Sequence, residues 1–124
     1  MSHKAQREFC KYVKKKYKNL FQGNVVDCGS GDVNGNNRFL FDMRYTNYIG
    51  IDLYHGANVD IVGSVPEVLE RIQQEFLTRF KSTSGVDMVI STEMLEHDPY
   101  WALSLEKMYD VLKPGGLLLI TAAG

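Results

Sequence analysis

The stretch VVDCGSGDVNGNNR, residues 25–38, decides how the rest of the chain is read. Two valines lead into an acid, Asp27, and three glycines and three asparagines follow between Gly29 and Asn37. A chain does this when it leaves a buried strand, turns sharply and brings its backbone within reach of a ligand.

Outward from that turn, apolar strands alternate with helical patterns. NVVDC (24–28), NYIGIDL (47–53), NVDIVG (58–63), VDMVIS (86–91) and LLLITAA (117–123) read as five strands. A helix is expected over 36–45, with Arg38 and Arg44 outside and Phe39, Leu40 and Met43 inside. A second is expected over 66–80, with Ser64 as N-cap and Leu69, Ile72, Phe76 and Phe80 on its apolar face. A third is expected over 99–112, with Pro99 in its first turn and Asp98 as cap. KSTSG (81–85) is a surface turn, and KPGG (113–116) ends the third helix. Near the N-terminus Phe9, Val13, Tyr17 and Leu20 form one apolar helical stripe. The alternation predicts a doubly wound α/β fold, with a mostly parallel sheet and helices on both faces. No linker or repeat divides the chain, so residues 1–124 form one domain, a basic N-terminal helix (1–22) followed by an α/β core (23–124).

Such folds bind ligands beyond the carboxyl ends of their strands, where the strand order reverses. The glycine turn lies there, as do Asp52, Ser64 and Ser91 to Glu93. The turn starts as Gly29-x-Gly31, but a dinucleotide fingerprint needs Gly or Ala at position 34, where this chain has Asn34. No triphosphate-binding GxxxxGK[ST] occurs either. An acid about 20 residues after a glycine turn accepts hydrogen bonds from a ribose diol, so Asp52 suits NAD and S-adenosylmethionine alike. Asp27 favours a cationic ligand group, an ammonium or a sulfonium, over a pyrophosphate. Asn34, Asn36 and Asn37 are turn and N-cap residue types.

The 44% apolar and 23% charged composition excludes wholesale disorder. The longest apolar run, Leu117 to Ala123, is too short for a membrane span, and the N-terminus has no apolar signal core. Cys10 and Cys28 form no CxxC pair, and both read as reduced thiols of a cytoplasmic protein. Residues 1–20 carry seven Lys/Arg against one Glu, whereas the remainder carries seven against fourteen Asp/Glu. The basic arm reads as a solvated helix face or as a patch for an anionic partner, nucleic acid included. Glu93 and His97 would lie one turn apart on a helix, but a third metal ligand such as His55 would have to come from another loop, and no metal site is expected. Histidine titrates near neutrality, which makes His97 the one candidate general base.

From about residue 24 to the last residue, the chain resembles the class I S-adenosylmethionine-dependent methyltransferases. VVDCGSGDVNG resembles their glycine-rich first motif, YIGIDL the strand with the ribose-binding acid, and VDMVISTEMLEH the fourth strand with its LEH loop. LEKMYDVLKPGGLLLITA resembles their next helix, LKPGG turn and fifth strand. The resemblance implies a Rossmann-like methyltransferase core with S-adenosyl-L-methionine as cofactor. It implies that Asp27, Cys28, Gly29, Ser30 and Gly31 hold the methionine part and Asp52 the ribose. By the same resemblance Leu53 lies against the adenine, Ser64 and Val65 at the adenine edge, and Ser91 and Thr92 beside the sulfonium. Family members often carry an acid where this chain has Ser64, and their LEH histidine more often braces the loop than catalyses.

Family members also continue past the fifth strand with a helix and an antiparallel hairpin. This chain reads as lacking that hairpin, as a fragment or a short form, with its fifth-strand edge covered by a homodimer contact or another protein. Three functions remain open: methyl transfer to an unidentified acceptor, a non-catalytic domain of the same fold acting as a binding or regulatory partner, and an NAD-dependent or nucleotide-sugar enzyme.

Overall fold

The computed structural model describes residues 3–31 and 36–122. Five strands form one sheet: β1 (Gly23–Cys28), β2 (Thr46–Asp52), β3 (Ile61–Val62), β4 (Val86–Thr92) and β5 (Leu112–Thr121). All four pairings are parallel and the order is β3-β2-β1-β4-β5. The chain builds outward from β1 to one side through β2 and β3, then returns to β1's other side with β4 and β5. The order therefore reverses between β1 and β4.

Strand alternation sends side chains to two cores. Val26, Cys28, Ile49, Ile51 and Val89 face α2 (Val65–Leu69), α3 (Ile72–Phe80) and α4 (Trp101–Val111), and they pack on Val68, Leu69, Ile72, Phe76 and Met108. Val25, Tyr48, Met88, Ile90 and Leu119 face the other way, onto Cys10 and Val13 of α1 (His3–Lys16) and onto Phe21, Leu40 and Phe41. Both sheet faces are covered, as a sheet of near-continuous apolar strands requires. Among the described residues no helix is long and apolar enough to cross a membrane.

Several local expectations are corrected. The buried line of α1 is Gln6, Cys10 and Val13, while Phe9 and Tyr17 are largely exposed and Leu20 is half-buried. The small Cys10 thiol lets the helix sit close on the sheet, and Phe9 falls beside that line rather than on it. No helix spans 36–45; only a 3₁₀ turn, Arg38–Leu40, forms. Asn36 accepts the Arg38 N–H (2.8 Å) and Asp42 accepts the Arg44 N–H (3.0 Å), local bonds that compete with a helical ladder. Leu40 and Phe41 are buried there, Phe39 and Met43 are not.

The strand expected over 58–63 shrinks to Ile61–Val62: Asn58 is left-handed (φ 65°), and at Asp60 the side-chain carboxylate accepts the Gly50 N–H of β2 (2.8 Å). The helix expected over 66–80 divides at Glu70 and Arg71, where the Arg71 N–H bonds to Val68 three residues back. Leu69, Ile72 and Phe76 still face the core, but Phe80 is exposed. Ser64 sits at the N-cap of α2 without a side-chain capping bond. The helix expected over 99–112 starts at Trp101 with Tyr100 at its N-cap, so Pro99 precedes it and Asp98 is not its cap; Asp98 instead accepts the Tyr100 N–H (2.8 Å) and the Ser104 hydroxyl (2.5 Å), bracing the turn that enters α4. The β5 ladder reaches back to Leu112, and an irregularity between Val86 and Met88 accommodates Lys113 to Gly116. Asn34 and Ala123 lie outside the described residues.

Candidate functional site

The turn after β1 is clamped to β2. The N–H groups of Gly29 and Ser30 both donate to the Ile51 carbonyl, at 2.8 and 3.0 Å. Gly29 is left-handed (φ 81°), and a Cβ there would come within 2.8 Å of the Met94 side chain. Glycine is thus required at 29 for two separate reasons, backbone conformation and space. The Ser30 hydroxyl donates to the Asn58 carbonyl (2.6 Å) and the Gly31 N–H to the Asp52 carboxylate (2.8 Å).

Asp52 ends β2 and is half-buried. One of its oxygens accepts the Gly31 N–H, the other the Leu53 N–H (2.7 Å). A carboxylate oxygen has room for two donors, so each keeps capacity for a hydroxyl presented from the crevice. The Gly63 N–H donates to the Asp52 carbonyl (2.9 Å), which brings the start of α2 alongside. The Leu53 side chain is exposed, Ser64 is half-buried and Val65 is packed into the core.

Behind the turn lies a buried polar network centred on Asp27, which is fully enclosed. Its Oδ2 accepts the Tyr48 hydroxyl (2.5 Å) and, at 3.4 Å, the Asn37 amide. Its Oδ1 is buried and has no hydrogen-bond donor among the described residues. Burial pushes the carboxyl up to about 6, against the opposing pull of Tyr48 and Asn37. The Asn58 amide donates to the Tyr48 hydroxyl (2.8 Å) and to the Ser30 carbonyl (3.1 Å), and its own carbonyl accepts Arg38 Nε (2.7 Å). The Arg38 guanidinium lies 4.4 Å from the centre of the Tyr48 ring. Asn37 also donates to the Thr92 hydroxyl (2.9 Å) and accepts from Gln6 of α1 (3.3 Å). One network therefore joins the carboxyl ends of β1 and β4 and Tyr48 of β2 to the N-terminal half of α1.

At the end of β4, Ser91 is buried and its hydroxyl has no partner among the described residues. Thr92 belongs to the Asp27 side through Asn37. Glu93 is left-handed (φ 55°), its N–H donates to the Thr121 carbonyl (2.8 Å), and Met94 follows against Gly29. His97 stands on the 3₁₀ turn Leu95–His97 with an exposed side chain 3.8 Å from Glu96. The described residues contain no group of three or more His, Cys, Asp or Glu placed to hold a metal ion.

The structure thus gathers Asp27, Gly29, Ser30, Gly31, Asp52 and Thr92 around one turn. Cys28 points into the opposite core, where burial raises its thiol pKa, so its side chain faces no ligand. Reading the sequence alone missed Tyr48, Asn58 and the bridging role of Asn37, and it set Arg38 outside a helix. The available signal was modest: a tyrosine inside an otherwise aliphatic strand, and an asparagine just after His55-Gly56-Ala57, the residue type most tolerant of positive φ.

A parallel sheet of order 3-2-1-4-5, with a glycine turn after the central strand and an acid at the end of its neighbour, defines the class of doubly wound α/β folds, whose crevice opens where the strand order reverses. The sequence model of the family described as "Methyltransferase domain" matches residues 1–123, and the chain belongs to that family. No curated protein matches it.

Proposed function

We propose that this domain binds S-adenosyl-L-methionine at the Gly29–Gly31 turn and transfers its methyl group to an acceptor. When bound, that cofactor supplies the activated methyl, so the protein's task is to bind, orient and exclude water. Asp27 carries the reading: a buried carboxylate with one oxygen lacking a donor, immediately before the turn, is a site for a cationic group. An ammonium there would supply the missing hydrogen bond and offset the cost of burying the charge. Cys28, Gly29, Ser30 and Gly31, the residues that follow Asp27, are assigned to the methionine part of the cofactor. Asp52, held in place by two backbone N–H groups, keeps acceptor capacity for two ribose hydroxyls. Leu53, Ser64 and Val65 lie on the adenine side of Asp52, and Ser91 and Thr92 on the methyl side. A general base is required only where the acceptor keeps its proton at neutral pH; His97 is assigned that role. The domain is read as a single cytosolic unit over 1–124.

The test is thermal unfolding with S-adenosylhomocysteine and, as control, NAD. A ligand at 100 times its dissociation constant stabilises by about 2.7 kcal/mol, several degrees for a domain of this size. A shift with the former alone, abolished in Asp52→Ala, supports the reading. A shift with NAD alone, or none with either ligand, would end it.

A further inference from the structure

The long basic helix is not absorbed by the cofactor site, although it is joined to it. Gln6 of α1 bonds to Asn37, which in turn reaches Asp27 and Thr92, so the N-terminal half of α1 stands beside the crevice. Its buried line is Gln6, Cys10 and Val13. Arg7, Lys11, Lys14 and Lys15 follow the spacing i, i+4, i+7, i+8, which is a second face of the same helix. Arg7, Lys11 and Lys15 are exposed and Lys14 is half-buried. The four span about 12 Å at 1.5 Å per residue. The only acid within that stretch is Glu8, a loose partner of Lys11 at 3.7 Å.

This face adjoins the loop 38–45. The Arg7 guanidinium lies 5.5 Å from the centre of the Phe39 ring, and Lys14 helps Arg44 hold the Asp42 carboxyl low. Phe39 and Tyr45 are both exposed there, and Arg44 lies 5.4 Å from the centre of the Tyr45 ring. The result is a band of four cations over little more than two helical turns, running up to the crevice and flanked by two flat rings that already pair with guanidinium groups.

We propose that this face of α1, with Phe39 and Tyr45, is a track for single-stranded nucleic acid, and that such a strand is the class of methyl acceptor. The cations suit a backbone of repeating phosphates, and exposed rings beside arginines suit stacked bases. A membrane surface fits less well. An interfacial helix needs a broad apolar face to bury in lipid; Cys10 and Val13 of α1 are spent against the sheet, and the exposed rings of Phe9 and Tyr12, set among the cations, are too few to make such a face. The acceptor assignment rests on the methyltransferase reading above; the binding track does not.

Binding is measured by fluorescence anisotropy of labelled 15-nucleotide single strands, RNA and DNA, on the whole chain. Four phosphate contacts predict a slope near −2.8 in log affinity against log salt, about a 50-fold loss between 50 and 200 mM. Lys11→Glu combined with Lys15→Glu, both exposed and remote from Asp27, should weaken binding at least tenfold while lowering the unfolding temperature only by the few degrees that lost helix-surface charge pairing costs. Lys81→Glu, beyond α3 on the other side of the sheet, should bind as the parent does. The track is overturned by no anisotropy change at 50 mM salt, by full binding in the double variant, or by capture on phosphatidylserine vesicles without oligonucleotide binding. If strands bind and S-adenosylhomocysteine binds, but no labelled methyl enters any strand, the acceptor assignment falls. A protein that binds strands but not S-adenosylhomocysteine would instead refute the cofactor reading.

Discussion

Replacing Asp27 by asparagine should stabilise the ligand-free protein as the pH rises while removing its affinity for the cofactor. The carboxyl is held at about 6 against an ordinary 3.8, chiefly by burial. Below the unfolded value both states are protonated and the group costs nothing. Between about 4 and 6 the unfolded chain ionises first, so stability falls with rising pH, and above 6 the whole penalty is present. A shift of about two units at 1.36 kcal/mol each amounts to about 3 kcal/mol. The substituted asparagine keeps an acceptor for the Tyr48 hydroxyl but places an amide where Oδ1 stood, a cost that does not depend on pH. The difference in unfolding temperature between variant and parent, followed by calorimetry from pH 4.5 to 7.5, cancels the titration of every other group. It should grow in the variant's favour by roughly 10 °C, at 3–6 °C per kcal/mol for this size. At pH 7.5 the stabilisation by S-adenosylhomocysteine should disappear in the variant, because an amide cannot neutralise an ammonium. A temperature difference flat to within 2 °C over that range would refute the claim that an uncompensated charge is buried at Asp27.

Gly29→Ala should destabilise by about 2–4 kcal/mol, from the left-handed backbone and the Met94 overlap together, measured by urea denaturation. At Asn58, whose φ is 65° and whose amide bonds to Tyr48 and Ser30, Asn58→Gly isolates the lost side-chain bonds and Asn58→Ala adds backbone strain. Alanine should be worse than glycine by about 1 kcal/mol, and equal stabilities would contradict the assigned backbone. His97→Gln should leave the thermal shift with S-adenosylhomocysteine intact and lower turnover only for acceptors that carry a proton; loss of cofactor affinity would place the residue elsewhere in the mechanism. The outer edge of β5 carries no strand among the described residues, and Leu117 to Thr121 hold no charge to guard it. Concentration-dependent association is therefore expected in sedimentation, and a single monomeric species at 100 times the working concentration would count against it.

The sheet was legible because parallel strands buried on both faces must be written as aliphatic runs. NVVDC, NYIGIDL, VDMVIS and LLLIT are such runs, and the acids and glycines at their carboxyl ends mark the crevice. Local patterning was a poorer guide where polar side chains compete with the backbone. The apolar residues of 36–45 suggested a helix, yet the Asn36 and Asp42 side chains bond to nearby N–H groups and a 3₁₀ turn results. On α1 a four-residue spacing fits two adjacent faces, and contact with the sheet chose the one holding Gln6 and Cys10.

The sequence by itself determined the strand succession, the glycine turn and the two acids, Asp27 and Asp52, that end neighbouring strands. Each is a property of consecutive residues and of the period of two that a strand imposes. Only the tertiary structure decided that Tyr48 and Asn37 share Asp27, that Asn58 ties Tyr48 to the glycine turn, and that Gln6 joins the basic helix to them. These contacts link residues 10 to 31 positions apart, across parallel strands whose register no local pattern records. Burial then gives one of two similar aspartates its raised pKa, because desolvation depends on everything packed around a group and not on its neighbours in the chain.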